Sequence, residues 1–83
     1  MSQLDFRLYV ERRDPSRNMA RFYALSLEPT LFGLALSCRY GRIGTRGREM
    51  IEHFPSEKEA LVRFLALLST KRRRGYKMPT LGG

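Results

Sequence analysis

Residues 54–61 read Phe54-Pro55-Ser56-Glu57-Lys58-Glu59-Ala60-Leu61, and this junction divides the chain into an alternating part and a helical part. Pro55 ends whatever precedes it. Ser56-Glu57-Lys58-Glu59 is an S-x-x-E capping box running directly into an apolar stretch, which predicts a helix start. Ala60, Leu61, Phe64, Leu65, Leu67 and Leu68 then recur at helical spacing to about residue 73. Glu57 and Glu59 in the first turn and Lys71 to Arg74 in the last both complement the helix dipole. Gly75 is placed to end the helix as its C-terminal cap. The tail 78–83, with Pro79 and two final glycines, is expected to be mobile.

Upstream of the junction the pattern changes. In 5–12, Phe6, Leu8 and Val10 alternate with Arg7, Tyr9 and Glu11, as in a half-buried strand. Residues 13–18 contain Asp14-Pro15-Ser16 and predict a turn. A second strand is expected over 21–28, stopping at Pro29. A third covers 33–40, with Leu34, Leu36 and Cys38 on one face. Gly41, Gly44 and Gly47 follow at a spacing of three and predict a turn or bulge rather than a regular element. A fourth strand covers 48–54, where Met50, Ile51 and Phe54 alternate imperfectly. The expected fold is α+β: an antiparallel meander sheet of four to five strands with one C-terminal helix packed on one face. It forms a single domain over 1–77.

The chain has 83 residues, 42% of them apolar, and a formal net charge of +8. A chain of this length buries roughly 60% of the surface that its unfolded form exposes, so the core is modest. Thirteen of the sixteen basic residues are arginine, whose planar fork of donors fits phosphate in a bidentate way. That balance points to a polyanion: nucleic acid first, an anionic membrane second. Cys38 is the only cysteine, so no intramolecular disulfide is expected. With His53 the only histidine, a four-ligand structural zinc site is not expected either. Met1 to Asp5 lacks the apolar core of a signal peptide. The apolar run 65–68 is far too short for a bilayer span. A cytoplasmic location follows as the expectation, nucleoid-associated if the source is bacterial, with no membrane attachment and a monomeric state.

Catalytic chemistry is hard to assemble. His53 stands alone and reads as a surface imidazole, and Cys38 as a buried packing thiol. A Cys38–His53 dyad would need the third and fourth strands to pair, and still lacks an orienting group. Glu49 and Glu52, three apart in a strand, face opposite ways. The glycine run has neither the spacing nor the lysine of a P-loop. No enzyme activity, metal or cofactor is expected.

Binding chemistry is easier to find. Tyr40 and Arg42 flank Gly41, so a continuing strand sends both side chains to one face. One is an aromatic platform and the other a phosphate donor, which together suit the end of a nucleic acid. The same parity also aligns Tyr40 with Leu36 and Cys38, as a core residue. A second basic group is Lys71-Arg72-Arg73-Arg74, followed by Tyr76. A third is Arg12, Arg13, Arg17 and Arg21 around the first turn, and Arg46 and Arg48 make a fourth. Gly41-Arg42-Ile43-Gly44 and Gly44-Thr45-Arg46-Gly47 match the GXXG loop of KH domains, but that loop joins two helices and this one joins strands.

Tyr40-Gly41-Arg42-Ile43-Gly44-Thr45, a following strand, Phe54-Pro55-Ser56 and a long helix together resemble a WGR domain. The likeness runs from about Leu8 to Tyr76 and includes Phe22-Tyr23-x-Leu-x-Leu and the 71–76 ending. WGR domains occur beside the catalytic domain of poly(ADP-ribose) polymerases and as short bacterial proteins. The resemblance implies a sheet with one helix, no catalysis of its own, and binding to DNA breaks. It places Tyr40 where the motif has Trp, as the residue stacking near a terminal nucleotide, and Arg42 where the motif has Arg. It further implies roles for Arg21, Lys71 and Asn18, the last a remnant of an Asn-rich stretch that faces DNA. The expected function is a nucleic-acid-binding module for DNA rather than RNA, with little sequence preference. Its expected contacts are Tyr40, Gly41, Arg42, Arg21, Asn18, Arg46, Lys71, Arg72, Arg73, Arg74 and Tyr76. The alternative is a protein-interaction adaptor in which Arg42 docks on a carboxylate of a partner enzyme.

Overall fold

The computed structural model describes residues 6–79. Four strands, β1 (Phe6–Asp14), β2 (Met19–Thr30), β3 (Gly33–Arg42) and β4 (Arg48–Phe54), precede one helix, α1 (Glu57–Arg73). The sheet is an antiparallel meander in the order β1-β2-β3-β4. The α+β expectation holds, with four strands. Of the tail 78–83, residues 80–83 lie outside the described residues, as do Met1 to Asp5.

Each of the first three strands is longer than its sequence pattern predicts. β2 passes through Pro29, which pairs with Leu34 of β3. Among the described residues β1 pairs with β2 only as far as Leu27, so at Pro29 no donor is needed toward β1. β3 continues through Gly41 to Arg42, so Gly41 belongs to a strand after all, while Gly44 and Gly47 take positive φ in the loop that follows.

Alternation sorts the sheet into two faces. Val10, Tyr23, Leu25, Leu27, Leu34, Leu36 and Cys38 are buried on the helix side, against Ala60 and Phe64 of α1. Leu27 and Leu36 are register partners at the centre and are fully buried. Burial of each such side chain contributes about 1.5–3 kcal/mol. On the opposite face Phe22 is buried by local means. Tyr9 stacks on it with ring centres 5.9 Å apart, and Arg39 lies 5.8 Å from its centre. Phe22 also sits across from Gly41 and against Gly47, which folds the 43–47 loop back onto the sheet.

The helix begins as its capping box predicts. The Ser56 hydroxyl accepts from the Glu59 backbone N–H at 3.3 Å and donates to the Glu59 carboxylate at 3.0 Å. It ends in a Schellman motif. Gly75, at φ 97°, donates to the Arg72 carbonyl and Tyr76 donates to that of Lys71. This reversal drives Tyr76 back into the core and brings Lys77 beside Glu11, where two backbone hydrogen bonds of 2.7 and 2.8 Å cover part of the β1 edge.

Candidate nucleic-acid interface

The register of the sheet places Arg12, Arg21 and Arg42 directly across from one another on β1, β2 and β3. All three share the face of the core residues two positions away, at the end of the sheet that α1 does not cover. Like charges opposite each other on neighbouring strands repel, so this row is unfavourable to the free fold. The next row inward is Val10, Tyr23, Tyr40 and Arg48. Strand pairing therefore sets a rank of arginines against a rank containing two tyrosines.

The helix end supplies the roof. Because the Schellman turn fixes Lys71 and Tyr76 together, the Lys71 ammonium stands 4.4 Å from the Tyr23 ring centre and 5.5 Å from that of Tyr76. Tyr23 stacks on Tyr40 at 5.8 Å and meets Tyr76 edge-on at 6.3 Å. Arg74 follows on the same side. Asn18, the only non-glycine residue with positive φ among those described, closes the β1–β2 turn at the mouth. Together these elements enclose a cleft of about 570 Å³.

Its electrostatics are one-sided. Seven cations line it (Arg12, Arg17, Arg21, Arg42, Arg48, Lys71 and Arg74) and no carboxylate does. Of the seven, only Arg17 has an ion pair among the described residues, with Asp14. Burial and then the neighbouring Arg74 push the Lys71 pKa below its ordinary value, the signature of a cation short of compensating negative charge. The Tyr23 hydroxyl is pushed up, first by burial, and stays neutral.

Of the contacts expected from the sequence, Tyr40, Gly41, Arg42, Arg21, Asn18, Lys71, Arg74 and Tyr76 line this one cleft. Arg46 stands in the 43–47 loop outside the cleft lining. Arg72 and Arg73 point away from it along α1: Arg72 lies beside Leu68 and Met78, and both flank Leu65 and Ser69. Four consecutive cations on a helix cannot share one face, so only Lys71 and Arg74, three apart, reach the cleft. Arg12, Arg17 and Arg48, which the sequence offers only as members of basic groups, line the cleft as well, as does Tyr23. Cross-strand pairing is the signal that brings in Arg12, Tyr23 and Arg48, while Arg17 enters from the β1–β2 turn. Tyr40 is half-buried: it belongs to the core margin through Tyr23 and to the cleft at once, and its hydroxyl reaches Met50 Sδ at 3.9 Å.

The other candidates for chemistry are dispersed. Cys38 is buried on the helix face, and burial pushes its thiol up. His53 pairs with Ala35 and so lies on the opposite face of the sheet from Cys38. Glu49 accepts from Ser37 while Glu52 pairs with Arg63 of α1, on opposite faces as expected. Among the described residues no three His, Cys, Asp or Glu side chains form a metal-binding group. No described helix is long and apolar enough to cross a membrane.

Comparison with known proteins agrees with this architecture. The family model of the WGR domain matches residues 6–81. The chain is also 59% identical over 73 residues to "Uncharacterized protein y4dW" of Sinorhizobium fredii (strain NBRC 101917 / NGR234), a match covering 87% of this chain and 36% of that protein. The chain thus spans about a third of the length of the curated relative it matches. No solved structure matches it.

Proposed function

This chain belongs to the WGR domain family, and on that premise we propose that it is a non-catalytic module binding DNA, with a preference for ends or nicks and little for sequence. The observation that carries this reading is the cleft itself, with seven cations, no carboxylate and a tyrosine floor. Arg12, Arg21 and Arg42 hold phosphates, Lys71 and Arg74 close from the helix side, and the exposed part of Tyr40 offers a stacking surface at the rim. Phosphate contacts carry no base information directly, which accounts for the weak sequence preference.

A titration with blunt, nicked and single-stranded DNA, with and without a 5′-phosphate and at two salt concentrations, tests it. Neutralising about five phosphates gives a slope of log K against log salt near −4.5. A flat salt dependence and no shift of nicked duplex overturn the proposal and favour an adaptor role. That second reading has one observation in its favour. Leu31 and Phe32 at the β2–β3 hairpin tip are 94% and 90% exposed, at the far end of the sheet from the cleft.

A further inference from the structure

β4 forms an open edge of the sheet: among the described residues it pairs only with β3, and no other backbone hydrogen bond reaches it. The opposite edge, β1, is partly closed by Lys77 on Glu11. Exposed edges usually carry a device against further pairing, such as a proline, a lysine, a bulge or an unpaired inward charge. The stretch Arg48–Phe54 has no proline, lysine or glycine, and its one unpaired helix-side charge, Arg48, stands at the end of the strand and leaves the middle open. Its one helix-side carboxylate, Glu52, is already neutralised by Arg63 at 3.2 Å. Met50 and Ile51 remain 57% and 54% exposed on this edge, one on each face.

We infer that β4 pairs with β4 of a second copy of the chain, antiparallel about a two-fold axis at Ile51, to make one continuous eight-stranded sheet. Ile51 is the midpoint of Arg48–Phe54, so in this register all seven residues find partners. The symmetry then dictates the pairs. On the open face Ile51 meets Ile51 of the copy, and Glu49 meets His53, a carboxylate facing an imidazole. On the helix face Arg48 meets the Phe54 ring and Met50 meets Glu52. The axis stands perpendicular to the sheet, so only even shifts keep the faces matched. A shift of two leaves five pairs, and in one direction sets Glu52 against Glu52. In the other direction it sets Arg48 against Glu52, so ladder length, seven pairs against five, is what selects the Ile51 register.

The helix leaves room for this arrangement, since α1 packs mainly on β3. With strands about 4.8 Å apart, helices centred over β3 lie about 14 Å from each other across the axis, beyond the 8–10 Å of packed helices. The dimer also sets the function of the clefts in a new frame. Arg48 sits at the cleft end of β4, so the two clefts open at opposite ends of the joint sheet, with the Arg48 positions about 20 Å apart along the strands. This inference stands whether or not the clefts bind DNA.

Sedimentation equilibrium of the full chain tests it. The weight-average mass should rise with concentration from 9.7 kDa toward twice that value. Ile51→Lys should hold it at the monomer mass, with the melting temperature of wild type when both are diluted to where wild type is monomeric. Ile51→Cys should oxidise to a covalent dimer at least ten times faster than Val62→Cys, a control on the outer face of α1, while the buried native Cys38 stays unlinked. A mass fixed at the monomer value across the range, or equal cross-linking of the two cysteine variants, overturns the inference. A dimer that survives Ile51→Lys overturns it too, by placing the contact elsewhere.

Discussion

The ammonium of Lys71 stands 4.4 Å above the ring of Tyr23, with no carboxylate in the cleft around it. The ring face attracts the charge, while burial and then the Arg74 charge push the Lys71 pKa down. Lys71→Met should leave folding stability within about 1 kcal/mol of wild type, since the lost cation–π contact and the relieved repulsion offset each other. The same variant should weaken DNA binding and make the salt slope shallower by about 1. The sign of the pH effect follows from linkage. The folded pKa is depressed, so just below the ordinary value of 10.5 the unfolded chain binds more protons, and rising pH stabilises the fold through that window. The difference between wild-type and Lys71→Met melting curves over that range reports Lys71 together with the Cys38 thiol, whose pKa the ammonium draws down.

Arg21 is the middle member of the cross-strand row and has an arginine on each side. Arg21→Ala should stabilise the free domain by about 0.2–1 kcal/mol, the magnitude of a cross-strand pair term, while binding falls uniformly across DNA sequences. Thermal melts and paired binding isotherms on unrelated duplexes measure the two effects. A loss of stability on this substitution would mean that the row is not repulsive.

Tyr40 is where stability and binding separate by atom. Its ring packs on Tyr23 and its hydroxyl makes only a long contact to sulfur. Tyr40→Ala should cost about 2–4 kcal/mol through lost ring packing, and should also weaken end binding. Tyr40→Phe should keep both stability and binding near wild type. Chemical denaturation with matched titrations distinguishes these outcomes. A large binding loss in Tyr40→Phe would make the hydroxyl itself a ligand contact.

The two loop glycines should differ sharply. A Cβ on Gly47 would lie 2.4 Å from the Tyr40 carbonyl oxygen and 2.8 Å from Phe22 Cζ, at φ 76°. A Cβ on Gly44, at φ 94°, meets nothing within 4 Å. Gly44→Ala should cost about 1–2 kcal/mol for backbone strain alone. Gly47→Ala should cost more, and should disturb the Tyr40–Arg48 side of the cleft by shifting the loop. Urea denaturation midpoints of the two variants make the comparison.

The junction at Pro55-Ser56 was legible because local chemistry decides it: a capping box, acidic first turn, basic last turn and terminal glycine all act within a few residues of the chain. Strand existence was equally legible from alternation. Strand ends were not, since Pro29 and Gly41 are tolerated only because of what their neighbours in the sheet do or omit. The cleft was half legible. Arg42 and Lys71 announce themselves by motif and by cluster, whereas Arg12 and Arg48, visible only as members of two separate basic groups, are brought together by register, a property of paired strands rather than of either strand alone. Arg72 and Arg73 show the converse: neighbours of Lys71 in the chain, they lie outside the cleft because successive helix residues face different ways.

The uncompensated cations around Arg21 make the folded domain incomplete as an electrostatic object. An anion that enters the cleft replaces repulsion with attraction, so it acts on the folding equilibrium as well as on occupancy. The melting temperature should therefore depend on the polyanions and buffer salts in solution, and a domain that is marginal when alone becomes firm in their company. Under the proposed function nucleic acid is such an anion, and the lifetime of the domain against proteolysis should lengthen as DNA is added.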